Sequence, residues 1–131
     1  MVAYSVKAHF AQPIIDETKG GTIRNDRKRH ARPGEEIQIY TGMRTKHCRL
    51  VARKICLDVA PIRLVLTPGN PSVAVAGLTF SAARKLDYFA IFDGFADWPA
   101  LREFWREVHE ALTSFSGVHI RWLPWPRELL T

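Results

Sequence analysis

Cysteine is scarce in this 131-residue sequence, and its placement is unpromising for a framework. Cys48 and Cys56 stand alone, whereas a disulfide scaffold needs more cysteines in a shorter secreted chain. Their separation matches no C-x₂₋₄-C pairing, even if His30 or His47 is added, so a structural zinc is not expected. Two reduced, half-buried strand cysteines are the expectation, with no metal and no cofactor. Long apolar runs are missing too: nothing approaches the roughly 18 uninterrupted residues of a membrane span. Met1–Lys7 has no basic segment leading into an apolar one, so no secretory leader is expected and the default is a cytoplasmic protein with no membrane partner. Three catalytic or nucleotide signatures are also absent: G-x-x-x-x-G-K-[ST], G-x-G-x-x-G and G-x-S-x-G. Without a repeat, a low-complexity tract or a linker, residues 1–131 read as a single domain.

What is present in excess is positive charge, concentrated in one place. The net charge is +6, yet eleven Lys and Arg lie between Lys19 and Lys54 against the three acids Asp26, Glu35 and Glu36, a local excess of +8. The rest of the chain is slightly acidic. Such asymmetry attracts polyanions by Coulomb attraction and counterion release; a solvated basic face is the alternative reading.

Periodicity predicts short elements of both kinds. Residues 3–10 alternate as a strand, and 12–17 form a helical turn that tolerates Pro13 early. Thr22-Ile23-Arg24 is a brief strand. Arg32-Pro33-Gly34-Glu35 has turn chemistry and leads into a strand over 36–40. Cys48 to Leu66 reads as two strands bent near Pro61, and Thr67–Pro71 as a turn before a strand at 73–75. Ser81 is the expected N-cap of a helix ended by Asp93-Gly94. Asp97 is the expected cap of the next helix, with Leu101, Phe104, Trp105, Val108 and Leu112 on one face. Gly117 is expected to stop that helix before a last strand at 118–123. The sum is an α+β domain of five to seven short strands and two or three helices.

Three groups of residues carry chemistry. In Lys19-Gly20-Gly21-Thr22-Ile23-Arg24, two glycines allow close backbone approach while Lys, Thr and Arg converge on an anion; a basic hairpin turn is the plainer reading. Arg27, Lys28, Arg29 and Arg32 can contact phosphates, with Arg44 and Lys46 as a second bank and Tyr40 or Met43 as a stacking surface. Asp93 stands at a helix C-terminus, the unfavourable end of the dipole for a carboxylate; a solvated loop aspartate is the alternative. Trp122 and Trp125 read as core or tail anchors before they read as a stacking platform.

The order of these pieces resembles the ASCH domain, a relative of the PUA fold. Phe10 ending a strand, Ile14-Ile15 in a short helix, Lys19-Gly20-Gly21-Thr22-Ile23-Arg24, Pro33-Gly34-Glu35 and Asp93-Gly94-Phe95 follow that family's sequence of motifs over most of the chain. The resemblance implies a small PUA-like β-barrel with a cleft beside the Lys-x-x-Thr segment, and RNA-related function. Some members are similar in cleft residues to an amidohydrolase acting on N4-acetylcytidine. On that pattern Thr22 is the nucleophile, Lys19 its activating base and Asp93 the proton shuttle. Other members are ribonucleases, in which Lys19 and Arg24 would stabilise a phosphorane. Gly20-Gly21 stands where the family has Thr-x, and an aspartate stands at 93 where a glutamate handles protons.

The leading expectation is therefore a module that binds RNA, a nucleotide or a nucleoside with Lys19, Thr22, Arg24, Arg27, Lys28, Arg29, Tyr40, Arg44 and Lys46. A hydrolase using Lys19, Thr22 and Asp93 comes second. A protein-interaction adaptor, which predicts an exposed apolar patch near Trp122 and Trp125, comes third.

Overall fold

The computed structural model describes residues 1–108 and 113–131. Its architecture is α+β, with two sheets and four α-helices among the described residues. In the smaller sheet, β1 (Val2–Val6) runs parallel to β3 (Glu36–Thr41), and β4 (Arg49–Ile55) pairs antiparallel with β3. Val2, Tyr4 and Val6 alternate inward along β1, as Ile37, Ile39 and Thr41 do along β3, which is the period of a strand with one buried face.

The larger sheet orders β2 (Gly21–Arg24), β8 (Ser114–Arg121), β5 (Asp58–Val65), β6 (Ser72–Val75) and β7 (Leu78–Phe80), all antiparallel. Eight strands thus replace the expected five to seven. The additional one, β7, closes a hairpin over Ala76-Gly77, both at positive φ (51° and 78°), the geometry of a type I′ turn. Among the described residues the hydrogen-bonded ladders form two separate sheets, and no ladder joins them into a closed barrel.

Other boundaries shift for local reasons. The first strand ends at Val6, and Ala8–Phe10 is a 3-10 turn leading into α1 (Ala11–Ile15). The β4–β5 break falls at Cys56-Leu57 instead of Pro61. Pro61 sits within β5, which has no β6 partner until Ile62, so its missing N–H is tolerated there. Helix α2 (Ala83–Phe92) has Ala82 in the cap position with no side-chain cap, so Ser81 does not serve. It ends as expected, with Asp93 as C-cap and Gly94 at φ +100°. Asp97 does cap α3 (Trp98–Val108), accepting the Ala100 N–H at 2.9 Å. Leu112 lies outside the described residues. Gly117 lies inside β8, opposite Ile62, and stops no helix. The last helix is α4 (Arg127–Leu130).

Two apolar cores result. One fills the space between the larger sheet and the helices, with Leu64, Val73, Leu86, Phe89 and Leu101 fully buried. The other lies under the smaller sheet, around Tyr4, Ile14, Ile37, Ile39 and Ile120. Phe95 and Phe104 pack against both. They stand where the two cores meet, beside β1 and β2, each an edge strand of its own sheet.

Candidate anion-binding cleft

A cavity of about 280 Å³ opens along that seam. Its walls are Ser5, Val6 and Lys7 from the end of β1, Thr22 to Asn25 from β2, Lys19 and Asp93 at the floor, and an aromatic side that includes Phe10, Phe95 and Phe104. Arg24 spans the gap between the two sheets, its Nη2 donating to the Ser5 carbonyl oxygen.

The floor is a buried ion pair. Lys19 is 2 % exposed and Asp93 4 %. The Lys19 ammonium donates to the Asp93 carbonyl oxygen at 2.5 Å and to its carboxylate Oδ1 at 3.3 Å. The carboxylate at the unfavourable end of α2 is thereby answered by a cation, which also satisfies a C-terminal carbonyl of that helix. Lys19 Nζ lies 4.6 Å from the Phe10 ring centroid as well. Burial pushes the Lys19 ammonium below its ordinary range, and its attraction to Asp93 opposes the shift. Burial likewise pushes the Asp93 carboxyl up, against the same attraction. Both shifts favour the uncharged forms, and the pair is neutral as a unit wherever its proton sits.

The chain holds Lys19 in place through its own backbone. The Lys19 N–H donates to the Pro13 carbonyl oxygen, and Trp122 Nε1 donates to the Lys19 carbonyl oxygen at 3.2 Å. The Gly20 N–H donates to Phe92 O, and the Trp122 N–H to Gly20 O. This corrects the ligand-facing reading of the two glycines. A Cβ on Gly20 would fall on the Phe92 ring, and one on Gly21 on the His119 imidazole. The pair is small because the core presses on it. Gly94 has the same role from the other side, where a Cβ would stand 2.8 Å from Lys19 Cδ and from Phe10 Cδ1.

Above the floor, Thr22 lies in β2 opposite Ile120 and makes no side-chain hydrogen bond among the described residues. No hydrogen bond joins it to Lys19, whose ammonium turns to Asp93. Arg24 has a buried Nε without a partner. Desolvation, reinforced by Arg27, disfavours its charge, yet a guanidinium keeps its proton in proteins.

The basic loop over residues 25–35 is tied to β1 by a directed chain of hydrogen bonds. The Ala31 N–H donates to Tyr4 Oη at 3.0 Å, and His30 Nδ1 lies 3.0 Å from the same hydroxyl. His30 Nε2 faces the Asn25 carbonyl oxygen at 3.1 Å, which can only accept, so Nε2 donates and in the neutral ring Nδ1 accepts the Tyr4 hydroxyl proton. Arg27 stacks over the Tyr4 ring at 4.8 Å, and Arg29 pairs with Glu35 at 2.5 Å. Lys28 is exposed.

The remaining expected contacts lie elsewhere. Tyr40, in β3, is half-buried with its hydroxyl donating to Gln38 Oε1 at 2.9 Å, and it does not line the cavity. Arg44 and Lys46 are exposed in the turn after β3, where Thr45 Oγ1 donates to Gly42 O at 2.6 Å. Of the ten expected residues, the structure brings Lys19, Thr22, Arg24 and Asp93 to one cavity. It adds Phe95 of the Asp93-Gly94-Phe95 motif, Phe104 of the apolar helix face, and Ser5 and Lys7, which no motif marks because the seam between two edge strands exists only in three dimensions.

Trp122 and Trp125 form no exposed apolar patch. Trp122 is buried, and Trp125 is stacked on His119 with centroids 5.5 Å apart and planes 12° apart. No group of three or more His, Cys, Asp and Glu among the described residues could hold a metal ion; Cys48 is exposed and Cys56 buried. No helix of the described residues is long and apolar enough to cross a membrane. Compared with known proteins, the chain matches no family model, and no curated protein or solved structure matches it significantly.

Proposed function

We propose that the chain is an ASCH-like, PUA-related module that binds RNA or a ribonucleotide in the cleft between β1 and β2. The carrying observation is Arg24, a largely desolvated cation that forms no ion pair among the described residues, set in the cavity beside an unbonded Thr22 hydroxyl. A desolvated guanidinium without a counterion is unfavourable alone and is relieved by an anion. The motif order of the family supports the same reading, as does the exposed basic loop beside the cleft mouth. The two sheets would correspond to an opened PUA-like barrel, parted where the ligand enters.

Fluorescence anisotropy with a labelled single-stranded RNA at several salt concentrations tests this. Affinity should fall with added salt, and replacing Lys28, Arg44 and Lys46 together by alanine should flatten the log–log slope by about 2, at about 0.7 per phosphate contact on a single strand. Affinity that ignores salt overturns the polyanion reading.

A second reading, hydrolysis, is favoured by one observation: Lys19, Thr22 and Asp93 line the same cavity. A lysine pushed toward its neutral form is suited to base chemistry. The ammonium points at Asp93, so catalysis would need Lys19 to swing toward Thr22 when substrate enters. Release of acetate from N4-acetylcytidine, or cleavage of RNA, that vanishes in Lys19→Ala would establish it. Binding without turnover leaves the reader.

A further inference from the structure

The charge of the cavity is more specific than "basic". Its ionisable walls among the described residues are Lys7, Lys19, Arg24 and Asp93. Lys19 and Asp93 cancel each other, whichever holds the proton. Lys7 and Arg24 remain, two positive charges with no carboxylate partner within ion-pair distance among the described residues. A nucleoside would leave both uncompensated, and an internal phosphodiester would answer one. A phosphomonoester carries about −1.5 to −2 charges at pH 7 and would answer both.

The unused donors point the same way. Arg24 gives Nη2 to Ser5 O and its Nε is enclosed, while its Nη1 makes no hydrogen bond among the described residues and is not enclosed. Thr22 has an uncommitted hydroxyl on the same strand, two residues away and thus on the same face. A phosphate presents three strong acceptor oxygens to such a set. The aromatic side contributes less than its composition suggests. The Phe10 ring already faces the Lys19 ammonium, and Phe10, Phe95 and Phe104 meet one another at centroid distances of 5.2 to 5.7 Å. That wall is an apolar surface against which a base or ribose can lie, and the anion supplies the orientation. At about 280 Å³ the cavity is at the small end of ligand sites, with room for one nucleotide and none for a folded strand.

Resting on the ribonucleotide reading above, we propose that the cavity is a phosphomonoester site: the terminal phosphate of a mononucleotide, or of an RNA end, seats between Arg24, Thr22 and Lys7. The basic loop then serves whatever chain follows.

Isothermal titration of the intact chain with each of the four ribonucleosides, its 5′-monophosphate and inorganic phosphate tests this. The same RNA oligomer is titrated with a 5′-hydroxyl and with a 5′-phosphate. The monophosphate of at least one base should bind tenfold or more tighter than its nucleoside. That ratio should shrink between pH 7 and pH 5, as the phosphate loses its second charge near pH 6. It should approach one in Arg24→Gln, with circular dichroism confirming the fold. If that variant does not fold, the wild-type ratio and its pH dependence decide alone. A gain for phosphorylated RNA without a gain for free mononucleotides assigns the site to RNA ends, and gains for both assign it to the phosphate as such; either supports the proposal. Equal affinity for nucleoside and monophosphate together with equal affinity for the two RNA ends overturns it while leaving RNA binding standing. If no nucleoside, nucleotide or RNA binds, both readings fall together.

Discussion

Lys19 has two roles that pull on the same atom. Its ammonium closes the C-terminal end of α2 and neutralises Asp93, and its stem forms the cavity floor. Removing one member of a buried pair strands the other, at about 3–5 kcal/mol. Lys19→Ala should therefore lower unfolding stability by that order in chemical denaturation. The double variant Lys19→Met with Asp93→Asn should recover a good part, because the orphaned charge is gone. His119 provides a separate pH signature. Burial holds its imidazole down to about 3, with Lys19 and Arg121 adding to the shift. Between that value and the ordinary 6.5, the unfolded chain binds a proton that the folded one refuses. The stability due to His119 is thus full above about pH 6.5 and declines as pH falls toward 3, by about 1.4 kcal/mol per unit. Subtracting the stability-versus-pH curve of His119→Gln from that of the wild type should expose this slope. Equal curves for the two proteins would refute the buried neutral imidazole.

At the level of elements, the sequence disclosed those whose signal is local. The 36–40 alternation, the Pro33-Gly34 turn and the Asp97 cap all rest on neighbouring residues, and each is found. What was hidden depends on distant partners. Pro61 looks like a strand breaker until the pairing of β5 with β6 is seen to begin one residue later, at Ile62. Gly117 looks like a helix stop until β8 is seen to pass close to the Arg24 carbonyl there. The site divides in the same way. Lys19, Thr22, Arg24 and Asp93 belong to motifs, whereas Ser5 and Lys7 matter only because β1 lies beside β2. Gly94 links the element to the site, since its φ of +100° is hostile to a side chain and its space is filled by Lys19 and Phe10. Gly94→Ala should cost about 1–3 kcal/mol through the backbone alone. It should also weaken nucleotide binding more than an equally destabilising core change such as Ile62→Val, which titration of both variants would reveal.

Across the whole molecule, the two cores meet at Phe95 and Phe104, so the sheets are coupled through the wall of the cleft. Phe104→Ala should cost about 3–5 kcal/mol if both cores lose contact. It should lower the melting temperature in one cooperative transition; two separable transitions would mean that the sheets unfold independently. The positive charge is distributed around this junction, and some of it is already committed: Arg29 to Glu35, Arg53 to Glu36 and Lys54 to Glu17. Lys28, Arg32, Arg44, Lys46 and Arg49 are exposed and form no ion pair among the described residues, which leaves them to meet a polyanion. Next to Lys46 in the same exposed turn lies Cys48, while Cys56 is enclosed, with burial raising its thiol away from the reactive thiolate. A maleimide dye would consequently label one position without any engineering. The protein carries its own attachment point for an optical reporter, a few residues from the bank of charge on which a nucleic acid would settle.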